Sequence, residues 1–307
     1  MTDTGTAQGM LRAFSDELAN TVEQAGRSVV AVDARRHVAA SGVVWSADGL
    51  IVTADHAIER EEGIEIRLPS GEMRVATLVG RDPGTDIAVL RVDAAGLTPA
   101  RLPSDGAPRV GRLVLAVGRP GRGDLMATIG VVSAVVGPVR TWRHGRLDAL
   151  IQTDVTLYPG CSGSALVDAD GTVLGVNTSL LVRGVSTAVP SQTVSSVVKA
   201  IVAGGRVKRG YLGVSTQQVQ LPDTLTGSAG LAAGGGLIVV GVEPGGPAER
   251  GGVAIGDIIV ALGNVRVTDA EDLQGALGPD TVGKTLPVRV LRGGKPADVA
   301  VVIGERP

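Results

Sequence analysis

A single cysteine, Cys161, stands in 307 residues, so no internal disulfide can form. The three histidines, His37, His56 and His144, are scattered singly. That spacing excludes a zinc-type ligand cluster, and neither a metal nor a cofactor is expected. Aromatic side chains make up only 2%, too few for a base-stacking surface. Lysine and arginine number 29 against 31 acidic residues, so no basic field recruits nucleic acid. No apolar run approaches membrane-spanning length, and the first ten residues lack both a basic n-region and an apolar h-region. The expected placement is therefore soluble and cytoplasmic, or periplasmic or extracellular if the chain is a trimmed form.

What is abundant is glycine, 45 residues, in a chain that is 44% hydrophobic. That combination implies a sizeable core and many turns, and the length suggests two domains. Residues 10–25 carry an apolar stripe of Met10, Leu11, Phe14, Leu18 and Val22, the period of a helix. This N-terminal segment, 1–27, either packs on its own domain or forms an oligomer contact through Phe14 and Leu18. From Ser28 the period changes to short β-branched runs at 28–32, 42–45, 50–54, 64–68, 75–79, 87–92, 113–117, 129–136 and 150–153. Two more follow at 165–167 and 172–176, joined by an Asp170-Gly171 hairpin signal. Strands at this spacing, with almost no helix between them, predict a mainly β fold: a sandwich or a pair of barrels over 28–201. Residues 192–202 read helical. Residues 202–209, glycine-rich and basic, read as a linker. The pattern then restarts over 210–307, with strands near 211–215, 237–242, 257–262 and 286–291 and two helices. The second of those, about 269–277, opens on Thr268-Asp-Ala-Glu271, which fits a capping box.

One stretch points to chemistry. Pro159-Gly-Cys-Ser-Gly163 sets Ser162 between glycines in a tight turn, where backbone amides can face a bound oxyanion. A serine hydroxyl needs a base, and the base needs an orienting group. His56 lies just past the apolar strand Leu50–Ala54, and Asp86 just before the strand from Ile87. Ser162 is thus the expected nucleophile, His56 the base, Asp86 its orienter, and the amides of Gly160 and Ser162 the oxyanion hole. Asp82 is a rival for Asp86, but it precedes a proline and reads as a turn residue. Cys161 reads as a buried filler rather than a thiol nucleophile. All three histidines precede Ser162, and position 164 is serine, so the Gly-x-Ser-x-Gly elbow of α/β-hydrolases fails. The order His, Asp, Ser matches the chymotrypsin-type template.

With these residues in place, the chain resembles the HtrA/Deg family of trypsin-like serine proteases with a C-terminal PDZ domain. Asp48-Gly-Leu-Ile-Val-Thr-Ala-Asp-His56 resembles the family's histidine motif, Thr85-Asp-Ile-Ala-Val-Leu90 its aspartate motif, and Gln152-Thr-Asp154 with Pro159–Gly163 its serine motif. Val207-Lys-Arg-Gly-Tyr-Leu-Gly-Val214 resembles its entry into PDZ. The resemblance implies a chymotrypsin-like double β-barrel followed by a PDZ domain. It also implies cleavage of unfolded proteins, a homotrimer formed through the N-terminal segment, and C-terminal peptides bound at Tyr211, Leu212, Gly213 and Val214. Thr156, six residues before Ser162, would lie at the base of the substrate pocket, where a neutral side chain suits an apolar P1 residue. The chain departs from the family at Asp55, Tyr158, Cys161 and Ser164, around the histidine and serine. A non-proteolytic chaperone or peptide-binding scaffold is the alternative.

Overall fold

In the two parts of the chain, Met1–Val207 and Lys208–Pro307, each segment of alternating or continuous apolar residues has become a strand. The structure, a computed structural model, describes residues 4–36, 38–104, 108–141, 146–205, 210–222 and 234–305. His37, His144 and the last four residues of the expected linker, 206–209, fall outside them.

Helix α1 (Thr4–Gly26) leads into two closed six-stranded barrels. The first is built from β1 (Val29–Asp33), β2 (Ala40–Val44), β3 (Leu50–Ala54), β4 (Ile64–Arg67), β5 (Met73–Asp82) and β6 (Ile87–Val92), in the order β1-β2-β3-β6-β5-β4. Then come β7 (Leu113–Gly118), β8 (Met126–Val136) and a two-stranded ribbon of β9 (Val139–Arg140) and β10 (Arg146–Leu147). With β11 (Leu150–Thr153), β12 (Ala165–Asp168), β13 (Val173–Thr178) and β14 (Ser186–Pro190), β7 and β8 close the second barrel in the order β11-β14-β13-β12-β7-β8. Helix α2 (Ser191–Gly204) follows, so the first three residues expected as linker continue the helix.

The strand period of two sorts side chains into three cores. Val30, Val32, Ile51, Ile64, Ile66 and Leu90 fill the first barrel, and Val114, Val132, Ile151, Leu166 and Ala188 fill the second. Their sequence neighbours Val29, Leu50, Val52 and Val89 turn outward, to meet Leu115, Val117, Ala165 and Val167 of the second barrel and Val197 and Ile201 of α2. Strands that are buried on both faces read as unbroken apolar runs, which is why β3 and β6 were plain in the sequence. Each fully buried Ile or Leu is worth about 1.5–3 kcal/mol over leaving it exposed.

The second part carries β15 (Gly210–Tyr211), β16 (Val214–Leu221), β17 (Gly234–Val242), α3 (Pro247–Gly251), β18 (Ile258–Leu262), β19 (Val265–Arg266), α4 (Ala270–Ala276), β20 (Thr285–Arg292), β21 (Lys295–Val302) and β22 (Gly304–Glu305). Its sheet runs β16-β17-β18-β20-β21, with β19 on β18, and β15 pairs with β22. Leu237, Val239, Ile259, Val288, Val290 and Leu273 centre its own core. The α4 cap differs from the expected one. Asp269, not Thr268, is the N-cap and accepts from the Asp272 amide at 2.9 Å. Asp272 reaches back past the N-cap to the Thr268 amide and hydroxyl, one residue beyond the reciprocal bond of a capping box.

Candidate active site

Strand register brings the separated motifs together. In the antiparallel pair of β3 and β6, Ala54 lies opposite Ile87. The next residue out on β3 must therefore meet the one before β6, and the Asp55 amide donates to the Asp86 carbonyl at 3.0 Å. His56 follows in a single 3-10 turn, Asp55–Ala57. Its amide donates to Asp86 Oδ1 at 2.9 Å, and its Nδ1 lies 3.0 Å from Oδ1 and 2.8 Å from Oδ2. A ring nitrogen beside a carboxylate carries the proton, which leaves Nε2 as the acceptor. Among the described residues nothing hydrogen-bonds to Nε2. Asp86 is fully buried and holds φ at 58°, a left-handed conformation that an aspartate tolerates better than a branched residue. Asp82, the rival, closes a turn, accepting from Thr85 Oγ1 at 2.8 Å and the Gly84 amide at 3.2 Å.

The second barrel supplies the serine by the same logic. Ala165 of β12 faces Val176 of β13, so Gly163 and Ser162 fall opposite the end of β13. The Gly163 amide donates to the Asn177 carbonyl at 2.8 Å, and Asn177 donates back to the Ser164 carbonyl at 2.9 Å. The turn presses on β3. A Cβ on Gly163, whose φ is +85°, would lie 2.1 Å from the Ser41 carbonyl and 3.1 Å from the Ala54 amide, two residues before His56. Only glycine fits there. Ser41 grips the other side of the loop: its amide donates to the Ser162 carbonyl at 3.2 Å and its hydroxyl to the Gly160 carbonyl at 3.0 Å. With the carbonyls so held, the amides of Gly160 and Ser162 donate to no acceptor among the described residues. Two amides of one turn that are left without acceptors are available to an oxyanion.

Sequence reasoning missed several partners. Thr178, the last residue of β13, donates its hydroxyl to Asp86 Oδ2, across the junction of the barrels. Beside it, Ser179 Oγ lies 3.1 Å from Ser162 Oγ. Arg35 donates to the His56 carbonyl at 2.9 Å, and Arg81 pairs with the buried Asp55. None carries a local motif; each follows from strand pairing that only the closed barrels define. The departures noted in sequence find partners too. Ser164 is fully buried and accepts from Asn177 Nδ2 at 2.9 Å, and Tyr158 is half-exposed. Cys161 is buried against Met126, and burial pushes its thiol above the ordinary range, away from a thiolate. Thr156 is exposed. Its carbonyl accepts from Thr128 at 2.9 Å, and no hydrogen bond among the described residues joins it to His56, Asp86 or Ser162.

In the second part, Leu212 and Gly213 link β15 to β16. Their carbonyls accept from Ala248 at 2.8 Å and Glu243 at 2.9 Å, while their amides donate to no acceptor among the described residues. Gly213 holds φ at +77°, Tyr211 bonds Glu243 through its hydroxyl, and Leu212 is buried. β16 lies at the edge of its sheet and packs beside α4.

The family model for a trypsin-like peptidase domain matches residues 40–176, and that for a PDZ domain matches 210–303. The chain is 35% identical over 272 residues to a probable periplasmic serine endoprotease DegP-like from Marinomonas sp. (strain MWYL1), a match covering 87% of this chain and 57% of the relative. A relative of the same name from Halomonas elongata is also 35% identical over 272 residues, with 87% and 56% covered. The chain thus spans little more than half the length of these curated relatives. Among solved structures, the HtrA-type protease AlgW with decapeptide superposes with a TM-score of 0.78 at 30% identity, covering 94% of this chain and 99% of that one. The serine endoprotease from Yersinia pestis gives a TM-score of 0.77 at 31% identity, with 94% and 98% covered. These neighbours bear out the mainly β double-barrel fold followed by PDZ. The relatives' names place them in the periplasm, so the cytoplasmic expectation finds no support. Among the described residues no helix is long and apolar enough to cross a membrane.

Proposed function

Because the chain belongs to the HtrA family of trypsin-like serine proteases with a C-terminal PDZ domain, we propose that it is a serine endopeptidase acting through Ser162, His56 and Asp86. The observation that carries this reading is His56 Nδ1 held by both oxygens of the buried Asp86, with Nε2 open beside a serine turn that offers two free amides. Ser162 Oγ attacks the substrate carbonyl carbon as its proton passes to His56 Nε2. Asp86 keeps the proton on Nδ1 and stabilises the imidazolium. The Gly160 and Ser162 amides hold the oxyanion, each donor contributing about 3–4 kcal/mol in comparable enzymes. His56 then protonates the leaving amine, and water repeats the sequence on the acyl-enzyme.

Unfolded chains are the proposed substrates, with an apolar P1 residue near Thr156. C-terminal peptides are proposed to add as a strand to the open edge of β16, their carboxylates on the amides of the 211–214 loop. Homotrimer assembly through α1, an accompanying chaperone activity and a periplasmic or extracellular location complete the reading.

Labelling by a fluorophosphonate probe tests it. The parent should label and Ser162→Ala should not, and a hydrophobic C-terminal peptide should raise the parent's rate. Loss of unfolded-substrate cleavage in Ser162→Ala should accompany loss of labelling. No labelling of the parent with or without peptide would sink the reading and return the chain to a peptide-binding scaffold.

A further inference from the structure

We infer that Ser179 restrains the nucleophile, holding Ser162 Oγ off His56 until a substrate chain occupies the cleft. The inference rests on the assignment of Ser162 above. Ser162 Oγ makes its hydrogen bond with Ser179 Oγ, at 3.1 Å. Among the described residues none joins it to His56, although Nε2 is free to accept. The hydroxyl has one proton. While the two serines share a hydrogen bond, either the Ser162 proton points at Ser179 and away from His56, or Ser179 donates to one of the two Oγ lone pairs and makes the oxygen a weaker nucleophile. Both arrangements slow the attack: the first withholds the proton from the base, and the second lowers the electron density at Oγ.

The placement makes the restraint reversible. Thr178 is buried and fixed by its bond to Asp86 and by Thr187, which donates to its carbonyl at 2.9 Å. Ser179 stands one residue beyond the end of β13 and is exposed. Neighbouring hydroxyls on one segment therefore act oppositely: Thr178 secures the carboxylate that orients the base, and Ser179 holds the nucleophile away from that base. A chain entering the cleft covers the exposed Ser179 and competes for its hydroxyl, freeing Ser162 as substrate arrives.

The test is the rate of fluorophosphonate labelling, in which the Ser162 Oγ–P bond forms, the P–F bond breaks with loss of fluoride, and the hydroxyl proton passes to His56. Parent, Ser179→Ala, Ser179→Thr and Ser162→Ala are compared in the full chain. Removing one hydroxyl–hydroxyl bond should speed labelling of Ser179→Ala by about 3- to 10-fold. The gain should exceed that in kcat with saturating unfolded substrate, where the bound chain has already displaced Ser179. Ser179→Thr, which restores a hydroxyl, should bring the rate back toward the parent's. A labelling rate in Ser179→Ala equal to or below the parent's overturns the inference. Labelling of the parent but not of Ser162→Ala keeps the Ser162 assignment intact in that event. Labelling that persists in Ser162→Ala, or is absent from parent and Ser179→Ala alike, overturns both.

Discussion

Asp55 is a carboxylate with no exposed surface, one residue before His56, and such a group survives only if paired. Arg81 supplies the pair. Its Nε donates to Asp55 Oδ1, and one terminal nitrogen donates to the carbonyls of Asp55 at 3.1 Å and Ile58 at 3.4 Å, bracketing the turn that carries His56. Burial works against the arginine's charge, but the carboxylates of Asp55 and Glu61 outweigh it and hold the guanidinium above its ordinary range. The departure from the family at Asp55 thus has a counterpart 26 residues away on β5. Arg81→Met should cost about 3 kcal/mol, the low end for a broken buried pair because Arg81 is partly exposed. Asp55→Asn in the same chain should recover much of that loss. Urea unfolding of the two single variants and the double variant measures the coupling, and strictly additive losses would show that the two side chains do not support one another.

Helix α1 divides between two tasks. Leu18 and Val22 pack against the core between the barrels, and Thr21 donates to the Ala169 carbonyl at 3.0 Å, so the C-terminal half belongs to its own domain. Met10, Leu11 and Phe14, one to two turns earlier, are exposed, Phe14 by 51%. The sequence stripe joined Phe14 to Leu18 as one contact; the structure assigns Leu18 to the core and leaves Phe14 outside. Phe14→Glu should therefore abolish self-association in sedimentation while shifting unfolding by less than about 0.5 kcal/mol, the usual range for a surface change. An unchanged oligomer would remove α1 as the contact. Helical period located the stripe but not which turn stays uncovered, since that depends on where β7 and β1 lie. The strands show the same limit. β3 and β6, buried almost throughout, were readable as apolar runs, and so were His56 and Asp86 at their ends. β14 opens on Ser186-Thr187 and ends on Pro190, and β21 is interrupted by Pro296 and Asp298, so neither stood out. Thr178 and Ser179 were invisible for a related reason: a hydroxyl after a strand acquires meaning only once barrel closure sets Asp86 and Ser162 beside it.

Because each part of the molecule has its own core, the chain need not unfold in one step, and a local charge should tilt one transition alone. Asp257 is that charge. It is 2% exposed, receives Arg292 Nε on Oδ1 at 2.8 Å and Nη2 on Oδ2 at 2.7 Å, and accepts from the Ala254 amide at 2.8 Å. The hydrogen bonds from Arg292 hold its carboxyl below the ordinary range, against the opposing effect of burial. A depressed folded pKa means that the native state binds the proton less readily than the unfolded chain. The stabilisation is therefore complete above the unfolded value, about 3.9, and is lost as pH falls through the lower, folded value. Charged hydrogen bonds of this kind are worth about 2 kcal/mol to Asp257 at neutral pH. Trp45 lies in the first part and residues 208–307 contain no tryptophan, so tryptophan emission does not report on the second part, while far-ultraviolet circular dichroism follows both. At pH 7, Asp257→Asn should lower the melting of a transition seen by dichroism and leave the tryptophan transition where it was. As pH falls below about 4, the parent's dichroism transition should fall toward that of the variant, the two converging as the parent's carboxyl takes up its proton. A variant that keeps the parent's full acid dependence in that window would show that the Asp257–Arg292 pair does not set the acid limit of the second part.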